Sequence, residues 1–300
     1  LNMEKIAGHS YYIRGGTNTG VYLFKDKYAL IVDPGLTNSK GHRIIKHFEE
    51  NGIRARAIVL THEHYDHYGA SCVITDHFTG ALTYSSNQAK IFIENPHIFS
   101  SYVYGGRTNN VLEKSFSQKG AGMLVDDTLS EGQLKIGEKK FEIHSLPGHS
   151  PGHIGISTED KVLYLGDSLF NESILRKYKL PFLFDIGAQL ESLEKMKTID
   201  FEHCVLAHEK ALLQREEALK LIDINKSEIL SYLGQAVEFL NSPMTREDLV
   251  KDIIEYNDME IEYKQYYFTS ATVGSMISYL LDRDVIGYEI EGGGMYYYKK

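Results

Sequence analysis

The sequence predicts an α/β (α+β) fold with a smaller helical segment behind it, and three observations carry that expectation. Short apolar runs of strand character alternate with helical patterns through the first two thirds of the chain. Four of those runs end directly at a His or Asp that could hold a metal, which aligns such residues along one rim of a sheet structure. From about Ala211 onward the pattern changes to helix, helix, hairpin. Three hundred residues, at roughly 150 per domain, suggest two domains, and the change of pattern divides them as 1–222 and 223–300.

Taken in order, residues 21–24 and 29–32 are apolar runs around the turn-like Lys25-Asp26-Lys27, a hairpin pattern that Asp33-Pro34-Gly35 stops. Residues 39–51 read as a helix with Ile44, Ile45 and Phe48 on one side and Gly52 as its stop. Residues 57–60 form a buried strand that runs into His62-Glu63-His64-Tyr65-Asp66-His67. Residues 93–122 are rich in Gly, Ser, Asn and Tyr with weak periodicity, the pattern of a functional loop or lid. Strands follow at 141–146, before Pro147-Gly148-His149-Ser150-Pro151-Gly152, at 161–165, before Gly166-Asp167-Ser168, and at 204–207, before His208. Pro243-Met244-Thr245 opens a helix with Thr245 and Asp248 at capping-box spacing. A second helix follows Ser270, with Val273, Met276, Ile277, Leu280 and Leu281 on its apolar face. A hairpin at 285–299 turns at Gly292-Gly293-Gly294, so the segment has a winged-helix-like order.

Composition excludes several classes. The chain carries 32 basic and 41 acidic residues, a formal charge of −9, which disfavours nucleic acid and anionic membranes as partners. No apolar run approaches the ~18 residues of a membrane span, and residues 1–14 lack the basic start and apolar core of a secretory signal. Cys72 and Cys204 form no CxxC and no disulfide framework, which points to a reducing, cytoplasmic location. Both read as buried spectators, one in an apolar helix pattern and one in an apolar strand.

His62, His64, Asp66 and His67 pack three imidazoles and a carboxylate into one short stretch, and imidazole nitrogen with carboxylate oxygen suits transition metals. His62 and His64 leave a strand end on the same side and can share an ion; Asp66 and His67 sit half a turn further on and can serve a second. His149, Asp167 and His208 are three more candidate ligands at strand ends. Asp33 reads equally as a partner to a ligand histidine or as a turn residue before Pro34. His153 reads as structural, and Glu63 and Tyr65 as packing or pocket residues.

The string 61–69, Thr-His-Glu-His-Tyr-Asp-His-Tyr-Gly, resembles the signature of the metallo-β-lactamase superfamily. Residues 146–153, Leu165-Gly166-Asp167 and Ala207-His208 resemble its later motifs, so the likeness covers roughly residues 5–222 with all seven ligand positions filled. The resemblance implies a four-layer αββα sandwich with a two-metal site at one edge. It implies that His62, His64 and His149 hold one ion, that Asp66, His67 and His208 hold the other, and that Asp167 bridges them. It further implies two Zn(2+) per chain, with Fe or Mn as alternatives, and a hydrolase in which Asp66 and Asp167 are catalytic. His at position 64, where flavodiiron relatives carry Glu, argues against an oxygen reductase.

Expected substrates are an ester, thioester or lactone of a small molecule, as in the glyoxalase II branch. A phosphodiester is the alternative, since the C-terminal segment resembles that of the β-lactamase-like-protein-2 branch, which includes an RNA-cleaving member. A non-catalytic, metal-bound partner-binding scaffold ranks below both. Residues 213–300 hold nine basic and sixteen acidic residues, which weighs against nucleic acid. Arg107, Lys114 and Lys119 are weak substrate-binding candidates, and the Tyr-rich end suggests a homodimer contact.

Overall fold

The computed structural model describes residues 1–116, 122–209 and 212–300. A first sheet is built from β1 (Met3–Ala7), β2 (Ser10–Ile13), β3 (Thr19–Leu23), β4 (Tyr28–Val32), β5 (Arg54–Val59), β6 (Leu82–Ser86) and β7 (Asp127–Leu129), in that order across the sheet. β1 to β4 form an antiparallel meander, whereas β4 to β7 run parallel. Parallel neighbours require crossovers, and these contain α1 (Asn38–Glu50), α2 (Tyr65–Tyr68), α3 (Ser71–His77), α4 (Asn87–Glu94), α5 (His97–Tyr104) and α6 (Asn110–Ser115). The second sheet is built from β8 (Gly132–Ile136), β9 (Lys139–Ser145), β10 (Ile154–Ser157), β11 (Val162–Tyr164), β12 (His203–Val205) and β13 (Leu212–Gln214). Within it α7 (Glu172–Tyr178) and α8 (Ile186–Thr198) connect β11 to its parallel neighbour β12. Then come α9 (Arg215–Phe239), α10 (Arg246–Tyr256), α11 (Tyr263–Asp282) and the hairpin β14 (Ile286–Glu291) and β15 (Gly294–Lys299).

Two-residue alternation makes the layers. In β4, Leu30 and Val32 face the second sheet, where they meet Phe141, Ile143, Ile156 and Tyr164; Ala29 and Ile31 face the helices and meet Ile44, Phe48 and Ile74. In the second sheet Val162 and Tyr164 face inward while Leu163 and Leu165 face α8 and α9. The result is the αββα sandwich that the sequence predicts. One contiguous apolar cluster runs from Leu163 and Cys204 through α9 to Leu249, Val250, Met276 and Ile286, so the C-terminal helices share the outer helix layer's core. α9 itself runs unbroken through position 222.

Local expectations meet three differences. The capping box at Thr245 and Asp248 forms as the spacing predicts, but the stretch expected as an irregular lid holds α5 and α6. Its periodicity is weak because the helices are short; Phe99, Val103, Leu112 and Phe116 nevertheless bury together. The last helix begins at Tyr263, well before Ser270. Cys72 is exposed, because Ser71 and Ile74 are the residues that α3 turns inward and Cys72 points away from them.

Candidate metal centre

Both sheets deliver residues to one edge of the sandwich. His62 follows β5 and is fully buried; His64 stands at the N-terminus of α2, and Asp66 and His67 lie within that helix. From the second sheet, His149 follows β9, Asp167 follows β11 and His208 follows β12. Asp167 stands between two groups: its Oδ2 lies 3.4 Å from His67 Nε2, 3.6 Å from His149 Nε2 and 4.0 Å from His62 Nε2, while its Oδ1 lies 3.3 Å from His208 Nε2. Asp66 Oδ2 lies 3.6 Å from His67 Nε2 and 3.5 Å from His208 Nε2. His64 Nδ1 and His149 Nε2 face each other at 2.9 Å. Two clusters with ligand-sized spacing result: His62, His64, His149 and Asp167, and Asp66, His67 and His208.

Neighbouring groups aim these side chains. His149 Nδ1 donates to the Phe182 carbonyl at 2.9 Å, and His208 Nδ1 donates to the Gly16 carbonyl at 2.6 Å, so both turn Nε2 into the cluster. His67 Nδ1 donates to Asp33 Oδ2 at 2.8 Å, and the same carboxylate accepts from Thr61 N and Thr61 Oγ1. Asp33 therefore supports His67, the first of its two sequence readings, although it also lies close enough to His62 and His67 to form a third such group. His153 is buried and its Nε2 accepts the Asp167 backbone N–H at 3.0 Å, which fixes the loop carrying that carboxylate. Gly166 has φ of +54°, and a Cβ there would sit 2.4 Å from Thr61 Oγ1, so only glycine lets the two sheets approach here.

Electrostatics divide the imidazoles. Burial, reinforced by neighbouring rings, holds His62 and His64 well below the ordinary imidazole range, so both are neutral and offer lone pairs. Burial likewise lowers His149. Burial also opposes charge on His208, but Asp167 outweighs it and pushes this imidazole up to about 9. His67, beside Asp167, Asp33 and Asp66, is raised well above its usual range despite burial.

The donor set fits a metal. Nε2 of His62, His64 and His67 is buried without a hydrogen-bond partner, and orphaned buried nitrogens are rare unless a ligand completes them. Neutral imidazoles and carboxylates are the donors that zinc, iron and manganese accept. Of the weaker candidates, Arg107 and Lys114 are exposed, and no hydrogen bond or ion pair joins either to the cluster. Lys119 lies outside the described residues.

Sequence reading missed the wall of the cleft. Phe99 lies 4.9 Å from the His64 ring centroid, and Phe182 lies 5.9 Å from His64 and 5.8 Å from His149. Phe268 of α11 packs on Phe182 at 4.9 Å. One turn earlier, the half-buried Lys264 ammonium lies 5.3 Å from the Phe116 ring and 5.2 Å from the Phe268 ring. Burial pushes its pKa down, with Asp66 opposing the drop, and it forms no ion pair among the described residues. Nothing in the spacing of Tyr263-Lys264-Gln265 distinguishes it from a solvated surface lysine.

An αββα sandwich with clustered His and Asp side chains at the sheet edge defines a metal-dependent hydrolase. The chain belongs to the metallo-beta-lactamase superfamily, whose family model matches residues 12–208. It is similar to hydroxyacylglutathione hydrolase GloC of Haemophilus influenzae, 33% identical over 153 residues, which is 50% of this chain and 66% of that protein. It is also similar to the probable metallo-hydrolase YqgX of Bacillus subtilis, 31% identical over 156 residues, which is 52% of this chain and 67% of that one. The matched stretch thus spans about two thirds of those relatives. Among solved structures, a beta-lactamase domain protein from Burkholderia ambifaria shares the fold with a TM-score of 0.74 and 16% identity, covering 100% of this chain and 94% of that one. A metallo-beta-lactamase family protein from Thermus thermophilus gives 0.71 and 19%, covering 95% and 94%. No helix among the described residues is long and apolar enough to cross a membrane.

Proposed function

We propose that the protein hydrolyses an ester, thioester or lactone of a small anionic molecule at a two-metal centre. His62, His64 and His149 would hold one ion, Asp66, His67 and His208 the other, and Asp167 would bridge them. Zinc suits this set best, and its mixed nitrogen and oxygen donors also accept iron or manganese. The observation that carries the reading is Asp167, whose one carboxylate reaches both histidine groups: Oδ2 faces His62 and His149 of the first and His67 of the second, and Oδ1 faces His208. Bound there, the ions would supply Lewis acidity and lower the pKa of water from 15.7 to about 7.

The chain's own residues would do the rest. Asp66 is the solvent-facing carboxylate of the cluster, 42% exposed against 10% for Asp167, and would orient the attacking water and take its proton. Phe99, Phe182 and Phe268 make an apolar wall that keeps bulk water from the acyl group. Lys264, which forms no ion pair among the described residues, would hold a carboxylate on the substrate. Relatives named hydroxyacylglutathione hydrolases, a name that denotes cleavage of an acyl thioester, support this bond class.

Residues 1–222 would then carry the catalytic unit, and residues 223–300, which keep the helix–helix–hairpin order of a winged helix, would wall its pocket. The hydroxyls on the polar side of α11 support that reading over nucleic-acid binding, because Thr272 and Ser275 accept backbone N–H groups of Leu183 and Ile186. A hydrolysis screen of metal-loaded protein tests the proposal, with acyl thioesters, lactones, bis-p-nitrophenyl phosphate, single-stranded RNA and a β-lactam. Thioester or lactone turnover should dominate, and Asp167→Asn should lose both metal and turnover. Turnover confined to the phosphodiesters would overturn the bond class; failure to bind metal would overturn the mechanism.

A further inference from the structure

Between α7 and α8 the chain crosses behind His149 as a strap, residues 179–185. It is linked on both sides, and the His149 and Thr272 bonds are buried. Toward the cluster, the Phe182 carbonyl accepts from His149 Nδ1 at 2.9 Å, and the N–H groups of Phe184 and Asp185 donate to the Gly148 carbonyl at 2.8 and 2.9 Å. Toward the C-terminal segment, Leu183 N donates to Thr272 Oγ1 at 3.0 Å and Ile186 N donates to Ser275 Oγ at 2.9 Å. The Thr272 hydroxyl proton is engaged by the Phe268 carbonyl at 3.0 Å, so its lone pair is the part that faces Leu183. Thr272 is completely buried and Leu183 nearly so, which leaves water no route to replace that bond.

On this side Phe182 also packs on Phe268, and Leu183 joins the apolar cluster that includes Val273 and Met276. A cavity of about 430 Å³ opens between the strap, α5 and α11, lined by Tyr102, Phe182, Phe184, Ser275 and Tyr279 among others. Apolar contacts are non-directional, so the two hydroxyl bonds are what orient the peptide N–H groups of Leu183 and Ile186 on this side.

We infer that Thr272 and Ser275, although they belong to the C-terminal helix, are positioning residues for the metal centre: they hold the strap whose Phe182 carbonyl fixes the tautomer and direction of His149. The inference rests on His149 being a ligand, as proposed above. A ligating imidazole needs its remote N–H anchored, and removing such an anchor typically lowers metal affinity about 10–100-fold. Thr272→Val keeps the shape but leaves the Leu183 N–H buried and unpaired, a penalty that is relieved when the strap shifts.

The test is zinc titration against a competing chelator, on wild type, Thr272→Val/Ser275→Ala, Ser275→Ala alone, and Thr272→Ser. In the double variant one of the two ions should bind about 10–100-fold more weakly while the other is unchanged, with Ser275→Ala intermediate and Thr272→Ser near wild type. A double variant that binds both ions as wild type does, or that loses both equally as it loses stability, would overturn the inference. Should the double variant not fold, Ser275→Ala alone decides on the same criterion. Imidazole nitrogen NMR of the metal-free protein, with the His149 signal identified by its loss in His149→Ala, gives a second readout. Wild type should show one locked tautomer with the proton on Nδ1, and the variants a mixture; a single tautomer in all of them would sink the idea. Wild-type protein with a locked His149 but no zinc affinity would instead defeat the two-metal reading.

Discussion

Lys40 is a cation held where water cannot reach it. It is 5% exposed, and its Nζ donates to the Thr17 carbonyl and to Thr19 Oγ1, which in turn donates to the Asp33 carbonyl. Burial lowers its pKa to about 8, with Asp33 opposing the drop. Between about 8 and the ordinary 10.5 the unfolded chain binds this proton more tightly than the folded one, so stability rises with pH across that window. Below it both states are protonated and the cost is constant. The rise should amount to about 3 kcal/mol. Urea unfolding from pH 7.5 to 10.5 should show it in wild type and not in Lys40→Met; parallel profiles would refute it. At this scale the candidate ligands were readable because 62, 64, 66 and 67 are so close in sequence. Asp33 was not, because a carboxylate before Pro34 serves a turn and a histidine equally well. His153 was readable as structural, but its bond to the Asp167 backbone joins loops that the sequence separates.

Among the elements, α11 differs most from expectation. Its start was hidden because Tyr263, Tyr266, Tyr267 and Phe268 blur the helical period and Glu262 makes no side-chain cap. The missed turns carry Lys264 and Phe268, which face the cleft. The polar side of this helix is spent on the 183 and 186 N–H groups. It offers no Arg or Lys between 271 and 281, and specific DNA binders need phosphate contacts to fix their register. Fluorescence anisotropy with duplex DNA at about 150 mM salt should therefore show no tight binding. Submicromolar affinity that falls steeply with added salt would mean that α11 is displaced from the strap to reach DNA.

Across the whole molecule the strand framework was legible from two-residue alternation, whereas the pairing of two sheets through Gly166 and Thr61 was not, since it depends on contacts far apart in sequence. His62, His64, Asp66 and His67 come from the first sheet and His149, Asp167 and His208 from the second. A ligand bound across both stabilises the folded state by about 2.7 kcal/mol at a hundredfold excess over its Kd. That corresponds to roughly 4 °C in Tm for a chain of this size. Differential scanning calorimetry with zinc and after chelation should show this drop, reversible on adding zinc back. An unchanged Tm would mean that the two halves dock without help from metal.

That division also sets a timetable during synthesis. The first four donors leave the ribosome together, but His149, Asp167 and His208 follow far behind, and at about 5–20 residues per second the last of them trails His67 by roughly 7–30 s. Over that interval the nascent chain would offer these three imidazoles and one carboxylate, a set that accepts several transition metals, with no second sheet to judge the fit. Only when His208 arrives and docks would the full donor set be assembled, so the ion held in the finished fold would depend on exchange after that moment.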